Sequence, residues 1–320
     1  MAAQARMRNS RVLIINLGSV GTEITKNLVL SGIGSLTILD NHNLCKDDIG
    51  NQFFSNREQV GVNRAVAAKL RIQDMNPRVK LDVFQDEFTA KPDTFFKQFD
   101  LIVATELSAS HITIINAITR KYEISLYVTG LHGLFGYIFV DLIEFDAQDE
   151  KLKSAVSTML GPISANREII EVTERVDEEQ NKVKELITTR NKFKPFETLL
   201  AEASLEGKLT RRQIKRLSSA LPLLLAMFHF DMDFTDLTES SLAEKAIKVC
   251  KQLKVSPETL KPEYMKQFVE QASIEFAPVA AVIGGAVAQD CINILGKRQS
   301  PLNNFVFFDG VTLDMQVLEL

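Results

Sequence analysis

Along the first 145 residues, short apolar runs alternate with stretches in which apolar side chains recur every three or four positions. That alternation predicts strands joined by crossover helices, the arrangement of a mostly parallel sheet. The runs are RVLIIN (11–16), SLTILD (35–40), VKLDVF (79–84), DLIVAT (100–105) and SLYVTG (125–130). Between them, TEITKNLVLSG turns Ile24 and Leu28 toward a core and offers Gly32 as a helix stop. NREQVGVNRAVAAKLRIQDMNP predicts a second helix ended by Asn76 and Pro77, and ASHITIINAITRKY a third. The expected fold class is α/β, a doubly wound, Rossmann-like sheet.

Beyond that point the pattern changes. FGYIFVDLIEF (135–145) is a longer apolar run that predicts one added antiparallel strand. From 146 to 190 acids, amides and lysines dominate, and TERVDEEQNKVKELITTRNK reads as a charged hairpin or loop within a solvated connector. Residues 207–253 carry two amphipathic helical patterns, the first kinked or broken at Pro222. EFAPVAAVIGGAVAQDCINILGK is a nearly all-apolar helix whose Gly284 and Gly285 permit close packing, and NNFVFFDG is a closing strand. The expected organisation is therefore a first part of the α/β domain over 1–145, a charged connector and mainly helical insertion over 146–271, and a return to the core over 272–320.

A net charge of -4 and a pI near 5.7 argue against a broad electrostatic footprint for nucleic acid or anionic membrane. Cys45, Cys250 and Cys291 are an odd set without C-x-x-C spacing, which predicts neither a disulfide framework nor a local zinc site. Beside Lys46, Cys45 has the most plausible reactive surroundings of the three. His42, His111, His132 and His229 lack H-x-x-x-H spacing, so no metal centre is expected from them. The opening residues lack the apolar core of a secretory signal, and the expectation is a soluble protein of a reducing compartment.

Candidate chemistry begins at VLIINLGSVGTEITKNL (12–28). A dinucleotide fingerprint assigns its three glycines to a tight turn, to close approach of phosphate, and to helix–strand packing. Gly18 and Gly21 hold the second and third places, and Asn16 the first. Asparagine tolerates left-handed backbone, so the turn can survive the exchange. Asp40 stands at a strand end, where an acid would meet a ribose. On these residues alone, a ligand-binding loop and a loop that only shapes the turn are both open.

Taken with NQFFSNREQVGVNRA, DLIVAT and the EFAPVAAVIGGAVAQD…NNFVFFDG pair, this stretch resembles the ubiquitin-like-modifier activating enzymes and their bacterial MoeB and ThiF relatives. LYVTGLHGLFGYIFVDLIEF and GPISANREIIEVTER narrow the resemblance to the smaller, Aos-type subunits of SUMO-activating enzymes, in a fungal form. In active members an N-L-x-R-Q run handles ATP; the corresponding DIGNQ has Asp48 for the asparagine, Asn51 for the arginine, and keeps Gln52. A phosphate-contacting lysine becomes Arg64, and an Asp-x-Thr-Asp-Asn pattern that holds magnesium becomes VATEL, with Val103, Glu106 and Leu107. Losing an arginine fork and two oxygen donors weakens any grip on a metal-bound triphosphate.

The resemblance thus implies a pseudo-adenylation subunit with no catalytic residue, no bound cofactor and no metal of its own. Its degenerate site would comprise Asn16, Gly18, Gly21, Asp40, Asn51, Gln52, Arg64 and Glu106. The implied partner is the catalytic subunit of the heterodimer, which uses MgATP and a cysteine to activate the SUMO-type modifier before a conjugating enzyme receives it; the implied location is the nucleus, with the cytoplasm as the alternative. The rivals are a self-sufficient MoeB-type enzyme and an inactive subunit serving another modifier. Family members open with a Tyr-Asp-Arg-Gln-Ile-Arg-Leu-Trp-Gly segment whose first arginine reaches the partner's ATP site. The sequence as written begins just after the place where that segment would end and contains no tryptophan, so the expectation is either a start truncated at an internal methionine or a chain that has abandoned the donated arginine.

Overall fold

In a computed structural model, which describes residues 2–177, 182–297 and 299–320, the predicted strand–helix alternation is realised. The helices are α1 (Ala2–Asn9), α2 (Ser19–Ser31), α3 (Asp48–Asn51), α4 (Arg64–Met75), α5 (Asp93–Phe96), α6 (Ala109–Lys121), α7 (Phe196–Glu202), α8 (Arg211–Lys215), α9 (Ala220–Met227), α10 (Glu239–Leu253), α11 (Pro262–Glu270) and α12 (Ala277–Leu295). The strands are β1 (Arg11–Ile15), β2 (Ser35–Leu39), β3 (Lys80–Phe84), β4 (Leu101–Thr105), β5 (Ser125–His132), β6 (Phe135–Asp141), β7 (Glu144–Leu152), β8 (Gly161–Pro162), β9 (Arg167–Asp177), β10 (Lys182–Lys192), β11 (Phe305–Asp309) and β12 (Asp314–Leu318).

Eight strands form the central sheet in the order β12-β11-β6-β5-β4-β1-β2-β3. From β5 to β3 every pair is parallel; β6, β11 and β12 are added antiparallel. Side chains of β1 alternate between two cores, as the pleat requires. Leu13 and Ile15 join α6, α7, α9, α10 and α11 on one face, while Val12 and Ile14 join α2, α4 and α12 on the other. The chain winds outward in both directions from β1, so the carboxyl ends of β1 and β4 form the crevice where such sheets place ligands.

Four predictions need correction. FGYIFVDLIEF is two strands: β6 ends at Asp141, Ile143 takes a positive φ of 64°, and β7 departs into a different sheet. Within 146–190, expected as a solvated connector, the described residues of β7, β8, β9 and β10 form a four-stranded antiparallel sheet ordered β7-β10-β9-β8. The charges that suggested solvent instead pair across strands, as in Arg190–Asp146, Lys184–Glu150, Lys153–Glu174 and Lys192–Glu168. The charged hairpin is real on both flanks, and its tip, 178–181, lies outside the described residues.

The expected long second helix starts only at Arg64, because the Asn63 side chain accepts the Ala65 and Val66 N–H groups and caps it there. The 207–253 break falls between α8 and α9 rather than at Pro222, which sits in the first turn of α9, where a missing N–H costs nothing. The glycine pair divides its roles. A β-carbon on Gly284 would lie 2.6 Å from that of Glu23 on α2, whereas one on Gly285 would meet nothing within 4 Å. α12 is long and apolar enough to cross a membrane, and half of it is buried against the rest of the chain, chiefly α2 and β6.

Candidate functional site

The site is assembled at the carboxyl ends of β1, β2 and β4. Asn16 follows β1 with φ of 64°, in the left-handed region expected of it. Its Nδ2 donates to the Thr105 carbonyl at 2.8 Å, and the Thr105 hydroxyl donates to the Asn16 carbonyl at 2.9 Å, which ties the β1 turn to the end of β4. A β-carbon on Gly21 would collide with the Asn16 carbonyl, so this glycine does serve close helix–strand packing. Gln52 is buried; its Nε2 donates to the Leu17 carbonyl at 2.6 Å, and its Oε1 accepts from Ser55. It braces the turn from behind.

Asp40, 1% exposed, is held from four sides. Its carboxylate accepts from the Leu17 N–H at 2.7 Å, the His42 N–H at 2.9 Å, and Arg64 Nε and Nη2 at 2.9 and 3.3 Å, with His42 Nδ1 at 3.0 Å. Burial alone would raise its pKa, but His42, Arg64 and the two N–H groups outweigh it and hold the carboxyl below the usual range. The expected ribose acid is thus spoken for by the expected phosphate cation. Arg64 also lies 3.7 Å from Asp48, the acid at the position where the resemblance leads one to expect asparagine. Asn51 ends the single turn of α3 and is half-buried.

Glu106 follows β4 in a left-handed conformation, φ 52°, and accepts from the Leu131 N–H at 3.1 Å. Burial and then the nearby Glu275 carboxylate push its pKa well up, against the pull of the Leu131 N–H and Arg64. Val103 and Leu107 are both buried in the apolar cores, on opposite faces of the sheet.

Sequence reasoning missed Glu275, which precedes α12. Its Oε2 accepts the Ser19 N–H at the start of α2 at 2.8 Å, and a β-carbon on Gly18 would collide with its carboxylate. Burial raises its pKa, with Asp48 and Asp40 adding to the push, while Ser19 and Arg64 oppose it. It lies 256 positions from Ser19, so no local spacing could reveal the contact. The one available sign was an acid just before the Pro278 helix start.

Arg64 therefore stands among Asp40, Asp48, Glu106 and Glu275. Beside them opens a cavity of about 490 Å³ whose lining includes Asp86, Glu87, Asp231 and Glu106 with His42 and His111. Such a crevice suits neutral or cationic groups and repels polyanions. Among the described residues no group of three or more His, Cys, Asp or Glu side chains is placed to hold a metal ion. Cys45 is exposed, while burial pushes the Cys250 thiol up to about 11 and that of Cys291 well up. The histidines are dispersed: His132, buried, is pushed down to about 4 and accepts the Ser273 N–H.

The sequence matches the ThiF family over residues 1–320. The chain belongs to the ThiF family. Among its relatives, the DNA damage tolerance protein RHC31 of Saccharomyces cerevisiae is 51% identical over 322 residues, covering 100% of this chain and 93% of that protein. SUMO-activating enzyme subunit 1 of Homo sapiens is 33% identical over 319 residues, covering 97% and 89%. The same subunit of Rattus norvegicus is 34% identical over 322 residues, covering 97% and 88%. The ThiF identification agrees with the fold, whose β1–α2 unit and switch-point crevice have the Rossmann-like form expected from the sequence.

Proposed function

We propose that this ThiF-family chain is the noncatalytic, pseudo-adenylation subunit of a heterodimeric SUMO-activating enzyme. The observation that carries this reading is one arginine among four carboxylates where an active site must hold a triphosphate. Arg64 is committed to Asp40 and Asp48, and Val103 and Leu107 are core residues rather than oxygen donors for magnesium. A self-sufficient MoeB-type enzyme would need both functions in this chain, which disfavours that rival.

Chemistry then falls to the partner subunit. There the modifier's terminal carboxylate would attack the α-phosphorus of MgATP and expel pyrophosphate. The partner's thiolate would next attack the acyl carbon and expel AMP, and a conjugating enzyme would receive the thioester. This chain contributes a rigid half of the assembly, in the nucleus where the modifier is attached. Val282 on α12, with Leu30 on α2 and Val66 and Leu70 on α4, are exposed along one layer, with half-buried Gly285 beside Val282, and support a broad apolar interface.

ATP–pyrophosphate exchange dependent on the modifier tests the reading. The isolated chain is expected to give background exchange, and its mixture with the catalytic subunit full exchange. Robust exchange by the isolated chain that survives loss of the partner would overturn it.

A further inference from the structure

α2 begins at Ser19 with no side-chain cap, and its first N–H is given to Glu275. A helix N-terminus gathers unpaired N–H groups and the positive end of the peptide dipoles, which makes it a seat for an anion. In the dinucleotide fingerprint that seat takes a phosphate, and the second glycine lacks a side chain so that the phosphate can come close. Gly18 holds that second place, and the group its missing side chain admits is the Glu275 carboxylate. The Ser19 hydroxyl beside it is 1% exposed and has no hydrogen-bond partner among the described residues.

Glu275 is also held in place from its own side. Its loop is pinned to the β5–β6 turn: the Gly133 N–H donates to the Ile274 carbonyl at 2.8 Å, and the Leu134 N–H donates to Gln271 Oε1 at 2.9 Å. The Ser273 N–H donates to His132 at 3.1 Å. Two residues on, α12 starts with Pro278 in its first turn. The carboxylate is therefore presented to α2 by a fixed loop.

We propose that Glu275 determines what this site admits: it is a built-in phosphate surrogate that fills the anion seat of α2 and closes it to the phosphates of a nucleotide. The inference rests on the reading of this chain as the noncatalytic half, and it says how that half keeps a phosphate-loop fold without phosphate. The seat is filled by the chain itself, so the turn is complete in the absence of nucleotide. Removing the carboxylate leaves the Ser19 N–H and hydroxyl open beside Arg64. The freed seat should then take an inorganic polyphosphate.

The test uses the full chain and inorganic pyrophosphate, titrated calorimetrically at fixed ionic strength against a chloride control. Glu275→Ala is expected to bind pyrophosphate at least about tenfold more tightly than the unaltered chain, since one repelling charge at a helix N-terminus is gone. Its lowered melting temperature should also be restored by pyrophosphate and not by chloride. Should the alanine variant fail to fold, Glu275→Gln keeps an oxygen acceptor for Ser19 without the charge and should show a smaller gain in the same direction, since the repulsion is gone while the side chain still fills the seat. Equal, weak binding by the unaltered chain and both variants would overturn the surrogate role while leaving the noncatalytic reading intact. Tight binding of both pyrophosphate and ATP by the unaltered chain would overturn both.

Discussion

Two arginine–aspartate pairs in this molecule are built alike and serve different ends. At Asp141, Arg120 Nε and Nη2 donate at 2.7 and 3.0 Å, with Asn116 and the Ile143 N–H completing the set. At Asp40, Arg64 forms the same fork, completed by Leu17 and His42. Arg120 spends its remaining capacity on the Phe193 carbonyl, at 2.6 Å, and so clasps α6 to the segment entering the helical insertion. Arg64 spends its own on a second acid and faces two more. The first pair is balanced, as structural pairs are. The second carries surplus negative charge, and that surplus, not the pair itself, marks a site.

The largest expected effect breaks both pairs. Arg120→Met should cost about 3 kcal/mol, the low end for a buried pair that loses one partner, because the Arg120 side chain is 28% exposed. Arg64→Met should cost more, about 4 to 5 kcal/mol at pH 7, because its side chain is 11% exposed and four carboxylates lose their common cation. Urea denaturation compares the two. Equal losses would show that the extra acids do not feel Arg64.

A smaller effect sharpens the contrast. In a double-mutant cycle, Glu106→Gln should offset part of the Arg64→Met loss, with a coupling of about 1 to 2 kcal/mol. The same change combined with Arg120→Met should be additive within about 0.5 kcal/mol, as for distant sites. Coupling of similar size in both cycles would dissolve the distinction between clasp and site.

Much of this was legible in the chain. The parallel strands showed as apolar runs because both faces of that sheet are covered, and Asn16, Gly18, Gly21 and Asp40 showed through local spacing in one strand–helix unit. What failed to show has a common physical cause. The β7–β10 sheet hides behind charge because its acids and lysines satisfy one another across strands, which composition cannot distinguish from satisfaction by water. Glu275 hides because its meaning lies in Ser19 and Gly18 at the other end of the chain. The inward turn of Arg64 hides for a related reason: a cation near a phosphate loop reads as a ligand contact until its nearest carboxylate is located.

The smallest effect is the most diagnostic, because it reads the surplus charge directly. Glu106 ordinarily titrates near 4.5, and in the folded chain burial and Glu275 move it well above that. A raised acid binds its proton more tightly when folded than when unfolded. Its contribution to stability is therefore complete below pH 4.5 and is lost as pH rises through the folded value. Glu275 moves in the same direction, so the two carboxyls lose stability together as one coupled unit. Asp40, whose folded pKa lies below the ordinary 3.8, loses its stabilising effect only on the acid side of that window and does not confuse it. Glu106→Gln removes the titration while keeping a similar shape. It should melt above the unaltered chain at pH 8, by on the order of 1 kcal/mol of stability for one fewer charge among acids. That advantage should vanish toward pH 4.5. Thermal melts across this range give the answer: an offset that stays constant with pH would mean that Glu106 is a packing residue and that its charge is not part of the surplus.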